Sequence, residues 1–480
     1  MTSLLALAVA LGSPAFGHVR DCDGLPPLFW ENALFRDPAE GLFVQERFQP
    51  QTEWTAGEGD VTGAQVVLDC FGASAPHSRD VVVHYYRPAA LAPRWTRPVL
   101  LVTGAGDNAL RSMSFLAVSL SRAGFHSYAL TFAHRHGDNF LQAEQIANAL
   151  QHIATRHPGV KIDVVAYSKG GVSARIYASN TADADWSGTH DAYEEHGTRY
   201  RGDVGRLIFL GAPNGGLDTP FRWPGSNLFS VGDDPLDSPT SWNAWYAAGT
   251  VNLLSRVDLA ARSIYAEGGG AFVGQAQMLA DLRDLHGIPG TNPLLGAYAV
   301  QPDYLTTYTG GLGFQSESRG IAQAIADGGD TIARLQATGV APDVKLYLAA
   351  GGNPIMSVGG LNEGLLQSWW GDEDAASRRA TWEGLVEDWL DEIFPWWGEA
   401  FADDLPRLFA GTAFLGEISG PSDGLLFVES AFDDSGLTLA GAEVVEARFF
   451  AGLNHAELVA AGQLAADFYG DRELAGGLYD

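Results

Sequence analysis

Continuous apolar runs alternate with stretches of helical periodicity through the middle of the chain. The runs in "RPVLLVTGAGDN", "GRLIFLGAPNGG" and "DVKLYLAAGGNP" each end in glycine, which is typical of strands buried on both faces. From about Asn139, apolar side chains recur every three or four residues and predict a helix with one apolar face. The alternation predicts an α/β fold, with helices on both faces of a mostly parallel sheet and functional loops at the strands' carboxyl ends.

The region before this pattern has a different rhythm. Within residues 18–95, "AQVVLDCF" and "RDVVVHYYRP" alternate apolar and polar positions and flank a turn rich in Gly, Ser and Pro. Such a pair predicts an antiparallel hairpin at a sheet edge. We therefore expect an N-terminal β-rich extension at 18–95, followed by a catalytic domain at 96–480.

Two segments interrupt the strand–helix alternation. Residues from about 218 to 340 are rich in Gly, Tyr, Leu and Trp, and residues from about 355 to 411 are acidic and contain several tryptophans. Neither segment shows an internal repeat, so we interpret both as insertions, the first as a cap or lid. Their aromatic side chains either form small cores of their own or contact a substrate.

The first seventeen residues contain an apolar run from Leu4 to Leu11, followed by the small residues Ala15 and Gly17. This pattern resembles a secretory signal peptide without its usual positive start, and the alternative is a buried N-terminal segment. An exported protein would favour a disulfide between Cys22 and Cys70, whereas a cytosolic one would favour two free thiols. No later run has the roughly 18 apolar residues that a membrane span needs.

Composition narrows the classes of partner. The 480 residues are 46% hydrophobic and carry a net charge of −29, with lysine only at 161, 169 and 345. Nucleic acids and anionic membranes require a basic surface, so neither is an expected partner.

A candidate nucleophile lies in "KIDVVAYSKGGVSARIY". This stretch predicts a strand, a sharp turn at Ser168 and a helix, the arrangement of the G-x-S-x-G motif with Ala166 in place of the first glycine. A methyl group is small enough for such a turn. Ser168 is therefore either a nucleophile or an ordinary turn serine.

A serine nucleophile requires a histidine base and an acid that orients it, which follow the serine in the order acid, histidine in this architecture. After residue 200 the histidines are His286, in the middle of the first insertion, and His455, just after the strand-like "AEVVEARFF". Asp423 lies before that strand in "GPSDGLLFVESA", where the alternative is a common Asp-Gly turn. The order and placement predict a Ser168, Asp423, His455 triad.

Together, "VVAYSKGG", "GPSDGLLFVESA" and "GLNHAEL" resemble the secreted bacterial lipases of the α/β-hydrolase superfamily. The resemblance covers roughly residues 97–217, 343–354 and 412–465, and it implies Ser168 as nucleophile, Asp423 as acid and His455 as base. It also implies ester hydrolysis without an organic cofactor. The expected substrates are water-insoluble carboxylic esters of apolar acyl chains.

The resemblance extends to the oxyanion hole. In "VTGAGDNA", Thr103 replaces the histidine usual in this family, and the implied donors are the backbone amides of Ala105 and Lys169. "GAGDNA" is also similar to a loop of certain extracellular polyhydroxyalkanoate depolymerases, so a polyester is an alternative substrate. Glu457 occupies a position that many such lipases use near a structural calcium ion, although a helix-start glutamate is the simpler account.

Two readings from other classes compete with this one. In "FAHRHGDN", His134, His136 and Asp138 resemble the start of a two-metal hydrolase signature, but Asn139 stands where another histidine is expected. Asp138 is alternatively the cap of the next helix. A hydrolase-like binding protein is the other alternative, and it requires a broken triad.

Overall fold

The computed structural model describes residues 30–35, 81–88, 95–105, 109–132, 137–188, 190, 193–194, 197–222, 273–287, 308–312, 317–318, 320–357 and 413–460. The predicted signal peptide at 1–17, Cys22 and Cys70, His134 and His136, and nearly all of the 355–411 insertion lie outside these residues.

The strands in the described part of the chain are β1 (Trp30–Phe35), β2 (Val81–Tyr86), β3 (Val99–Val102), β4 (Ser127–Phe132), β5 (Ile162–Tyr167), β6 (Val204–Leu210), β7 (Gly311–Leu312), β8 (Glu317–Ser318), β9 (Lys345–Gly351), β10 (Ile355–Ser357), β11 (Ala413–Leu415) and β12 (Glu443–Phe450).

The described helices are α1 (Ser114–Ala123), α2 (Asn139–Arg156), α3 (Lys169–Ser179), α4 (Thr219–Arg222), α5 (Val273–Ala276), α6 (Ile321–Asp327), α7 (Thr331–Thr338), α8 (Val428–Ala431) and α9 (Glu457–Ala460), and a π-helical turn at Ala109–Met113 precedes α1.

Eight of the described strands form one sheet in the order β1-β2-β4-β3-β5-β6-β9-β12. β2 runs antiparallel to both of its neighbours, and every pair from β4 to β12 is parallel. This is the mostly parallel sheet of the α/β-hydrolase fold, as predicted. The apolar runs at β3, β5, β6 and β9 all became buried strands.

Successive strand residues point to opposite sides of the sheet, so these apolar strands present apolar side chains on both faces. Helices cover both of these faces. Leu100 and Val164 face the core beneath α2, α3 and α7, whereas Leu101 and Val165 face the core beneath α1 and α9. Within this sheet, the strands from β2 to β9 are buried along almost their whole length, which explains their nearly continuous apolar sequences.

The predicted N-terminal hairpin is wrong in its pairing. β2, from "RDVVVHYYRP", pairs with β1 on one side and β4 on the other, and "AQVVLDCF" lies outside the described residues. The N-terminal region thus extends the central sheet. The antiparallel partner comes from about fifty residues upstream, where Glu31 and Asn32 interrupt the apolar pattern and hid the strand.

The last helix of the first predicted insertion packs against the central sheet. Ile332, Leu335 and Val340 are buried in the same core as β6 and β9, so α7 belongs to the α/β body. The apolar face of this short helix packs beneath the sheet. Among the described residues, no helix is both long and apolar enough to cross a membrane.

Candidate active site

Ser168 lies at the turn between β5 and α3, at the carboxyl end of the sheet. Its φ of 51° and ψ of −126° are unusual for a residue with a side chain, and such a conformation costs about 1–3 kcal/mol. The backbone on both sides is fastened: the Ser168 amide donates to the Leu210 carbonyl at 2.9 Å, and the Gly171 amide donates to the Ser168 carbonyl at 2.9 Å. The turn therefore holds the hydroxyl in a fixed, strained position.

Small residues around the turn allow close backbone approach. A methyl group at Gly170 would collide with the Thr103 carbonyl, and one at Gly171 would collide with the Ala212 side chain. The Ala166 methyl lies in the buried core beneath α3 instead. Ala166 in the first position is therefore compatible with the turn, whereas glycine is needed at 170 and 171.

His455 lies in the loop after β12 and reaches back to Ser168. Its Nε2 atom is 2.9 Å from the Ser168 hydroxyl oxygen, and its Nδ1 atom is 2.7 Å from Oδ2 of Asp423. All three residues are at least nine-tenths buried. The structure thus brings together the three residues that the sequence predicted as a triad.

The second oxygen of Asp423 is also occupied. Oδ1 accepts hydrogen bonds from the Leu425 amide at 3.1 Å and the Leu426 amide at 2.7 Å, and the His455 amide donates to the Asp423 carbonyl at 2.9 Å. These hydrogen bonds fix the orientation of the carboxyl group, with Oδ2 directed toward the imidazole. The Asp-Gly turn and the triad acid are therefore the same feature.

Sequence reasoning missed Tyr167, the residue just before the serine. Its hydroxyl donates to the His455 carbonyl at 3.0 Å, and its ring centroid is 5.2 Å from that of the imidazole. The ring also packs against Gly104, where a Cβ would come within 2.8 Å of it. Tyr167 therefore holds the histidine loop and the loop after β3 together; an aromatic residue beside the motif serine was the available signal.

The predicted oxyanion loop lies beside the turn. A Cβ at Gly104 would be 3.1 Å from the Cβ of Ser168, so Ala105 follows a residue in direct contact with the serine. Lys169 is the first residue of α3, where amides have no partner within the helix. This placement is compatible with donation by both amides, and their role stays a prediction.

The acid loop is supported by a buried charged cluster that the sequence did not reveal. Nε of Arg222 lies 2.7 Å from Oδ1 of Asp218, with both side chains fully buried. Buried Glu417 interacts electrostatically with Arg222, and burial raises the pKa of Glu417. Ser422 donates to the Glu417 carbonyl, so the cluster connects the start of the first insertion to the loop that carries Asp423.

Glu457 has a structural role at the start of α9. The Asn454 amide donates to its carboxylate at 3.0 Å, and the Glu457 amide donates to Oδ1 of Asn454 at 3.0 Å. This reciprocal arrangement is a capping box. Within the described ranges, no group of three potential metal-ligating side chains is found. Calcium at Glu457 stays a prediction.

Asp138 caps α2, as one of the sequence alternatives predicted. Its Oδ1 accepts from the Phe140 amide at 2.8 Å, and its Oδ2 lies 3.3 Å from Nε2 of buried His190. The opposing charge of His190 and these hydrogen bonds outweigh burial and lower the pKa of Asp138. His134 and His136 lie outside the described residues. His286 stacks on Phe427 with ring centroids 4.0 Å apart, and its Nε2 lies 3.1 Å from Oε2 of Glu429.

The chain Asp423–His455–Ser168 can transfer a proton. When Nδ1 donates to the carboxylate, Nε2 carries the lone pair and can take the serine proton during attack on an electrophile. The carboxylate would stabilise the imidazolium that forms.

Comparisons with known proteins give weak likenesses. No protein-family model and no curated protein matches the chain. Similar solved structures include the mature lipase BlEst2 of Bacillus licheniformis, which is 14% identical, with 82% of this chain and 97% of that chain covered and a TM-score of 0.33. The esterase RhEst1 of Rhodococcus sp. ECU1013 is 11% identical, with 83% and 96% covered and a TM-score of 0.33. A bacterial membrane phospholipase A is 14% identical, with 83% and 84% covered and a TM-score of 0.34.

By its strand order and its strand–Ser168–helix turn, the chain has the α/β-hydrolase fold.

Proposed function

We propose that this protein is a serine ester hydrolase that cleaves carboxylic esters through an acyl-enzyme on Ser168. The observation that carries the proposal is the continuous hydrogen-bond chain of 2.9 Å from Ser168 to His455 and 2.7 Å from His455 to Asp423. The strained backbone at Ser168 supports it, because such conformations concentrate at functional sites.

In the proposed mechanism, His455 takes the proton of Ser168 as the serine oxygen attacks the ester carbonyl. Asp423 holds the imidazole tautomer and stabilises the imidazolium. The backbone amides of Ala105 and Lys169 stabilise the tetrahedral oxyanion, each by about 3 kcal/mol. His455 returns the proton to the leaving alcohol and then activates the water that cleaves the acyl-enzyme.

The proposed substrates are water-insoluble esters with apolar acyl chains, as for a lipase or carboxylesterase. This finer proposal is supported by the motif resemblance and by the aromatic residues in the two insertions. The net charge of −29 disfavours anionic substrates. The signal-like pattern at 1–17 supports export, which likewise remains a proposal.

A panel of p-nitrophenyl esters from acetate to palmitate, with tributyrin and a polyhydroxyalkanoate film, tests the activity and its substrate class. We expect turnover that rises with chain length up to an optimum and that is lost in Ser168→Ala. Ser179→Ala, at a buried serine on the same helix, is the matched control and should keep the activity.

Three outcomes would redirect the proposal. Substantial turnover by folded Ser168→Ala would refute the nucleophile. Activity confined to the film would identify a polyester depolymerase with the same triad. Loss of activity with a chelator and recovery with a divalent metal would favour the metal alternative at His134, His136 and Asp138.

A further inference from the structure

The side chain of Lys169 is buried next to the nucleophile, which is unusual for lysine. Residue 169 is 1% exposed, although it directly follows Ser168 at the first position of α3. Full burial of a lysine is rare unless a partner accepts its protons. Burial lowers the pKa of Lys169 well below its usual range, and the charge of Asp138 opposes this shift.

A polar network surrounds this amino group. Nζ of Lys169 donates to Oε1 of Gln142 on α2, and the same oxygen accepts from the Ser173 hydroxyl at 3.0 Å. The Ser173 hydroxyl oxygen also lies 2.9 Å from Oδ1 of Asn139, so its single proton is shared between these two acceptors. The network therefore joins the first turns of α2 and α3, two helices that pack against each other beneath the sheet.

A segment of the first insertion closes the network. The Asn139 side-chain amide donates to the Gly274 carbonyl at 2.7 Å, and Gln277 accepts from the Asn139 backbone amide at 2.7 Å. A Cβ at Gly274 would lie 2.7 Å from Cε of Lys169. The lysine side chain thus contacts α2 through its amino group and approaches the backbone of α5 with its Cε atom.

We propose that the Lys169 side chain is a positioning residue that fixes the direction of its own backbone amide at the oxyanion site. This inference rests on the proposed function. It gives the Lys169 side chain a role in addition to that of the Lys169 backbone amide. The peptide plane between Ser168 and Lys169 belongs to the strained turn, so surrounding contacts must hold it in place. The anchor of Lys169 on Gln142 is one such contact from the side chain that bears this amide.

Removal of the anchor should slow chemistry more than binding. An oxyanion donor acts on the charge that develops in the transition state, so its misalignment lowers kcat and leaves KM nearly unchanged. Loss of a whole donor costs about 10²–10³-fold in kcat. We expect Lys169→Met, which keeps the stem but loses the donor, to lower kcat at least about tenfold.

A double variant separates positioning from stability. Lys169→Met alone leaves Gln142 without one partner, whereas Lys169→Met with Gln142→Met replaces both groups by apolar ones of similar shape, which can restore stability. We expect the double variant to recover most of the lost Tm but not the lost kcat. Gln142→Glu keeps an acceptor and should keep kcat. Lys161→Met, at an exposed lysine paired with Asp343, is the control.

The measurement is kcat and KM for p-nitrophenyl butyrate beside Tm for each variant. Wild-type kcat in Lys169→Met, or recovery of kcat together with Tm in the double variant, would overturn the positioning role of Lys169. Neither result would affect the proposed function. If the Lys169 variants do not fold, the same test compares Gln142→Met, which removes the acceptor, with Gln142→Glu, which keeps it. We then expect kcat to fall in Gln142→Met and not in Gln142→Glu. Absence of ester hydrolysis by the wild type would instead overturn the proposed function and this inference with it.

Discussion

Asp423→Asn tests the orientation of His455 with almost no change in shape. In the native site, Oδ1 of Asp423 accepts two backbone amides at 3.1 and 2.7 Å, and Oδ2 faces Nδ1 of His455 at 2.7 Å. The two amides need an oxygen, so the asparagine carbonyl should take the Oδ1 position. Its NH₂ group then faces Nδ1 and donates to it, which moves the imidazole proton to Nε2.

A protonated Nε2 cannot accept the proton of Ser168. The same substitution in a serine protease triad lowers kcat by about 10⁴ through the wrong tautomer, and we expect a similar loss here, equivalent to about 5 kcal/mol in activation free energy. Tm should change little, because the hydrogen bonds from the two backbone amides to the Oδ1 position are retained.

The assay is kcat/KM for p-nitrophenyl butyrate, with Tm measured on the same samples. Asp343→Asn, at an exposed aspartate paired with Lys161, is the matched control and should keep wild-type activity. A loss smaller than about tenfold in folded Asp423→Asn would refute the reasoning, because His455 would then not depend on Asp423 for its tautomer.

Three further predictions concern stability and the limits of the motif. Burial lowers the pKa of His84 to about 3, so the unfolded chain binds one more proton than the folded chain between pH 6.5 and about 3, and stability falls as pH falls through this window. His84→Gln should reduce the slope of unfolding free energy against pH, measured with urea between pH 4 and 6, by about 1.4 kcal/mol per unit; an unchanged slope would show that His84 is not buried neutral. Ala166→Gly should lower the unfolding free energy by about 1–2 kcal/mol and leave kcat within about twofold, whereas a large gain in kcat would show that the methyl restricts the turn. Glu457→Gln should keep Tm, with or without a chelator, because glutamine also completes the capping box; a calcium-dependent drop in Tm would instead identify a metal ligand.

Local pattern predicted the parts of the fold that are buried on both faces. β5, β6 and β9 are continuous apolar runs because helices cover both sides of them, and that requirement is visible in the sequence. β1 was missed because Glu31 and Asn32 interrupt its apolar pattern, and its pairing with β2 is a long-range choice. The packing of α7 against the sheet was not visible in the sequence for a related reason: the helix is too short for a clear periodicity, and its burial depends on the core that it meets.

The candidate triad was predictable because chain order restricts the choice of partners. Few histidines follow Ser168, and the acid must precede the base, so Asp423 and His455 could be selected without coordinates. An aromatic residue beside the motif serine was a signal for Tyr167, but its partner in the His455 loop and the contact of Lys169 with Gln142 could not be read from the sequence. Both join residues that no local pattern relates, and lysine and glutamine more often signal an exposed surface than a buried network.

Active-site labelling with a fluorophosphonate tests the central claim most directly, because this reagent reacts with a serine only when a base and an oxyanion site activate it. The labelled protein is digested and the modified residue is located by mass spectrometry. We predict one adduct per chain, on Ser168, with no adduct in folded Ser168→Ala and a strongly slowed reaction in His455→Ala. An unmodified wild-type protein, or an adduct on another residue, would contradict the assignment of Ser168 as the nucleophile.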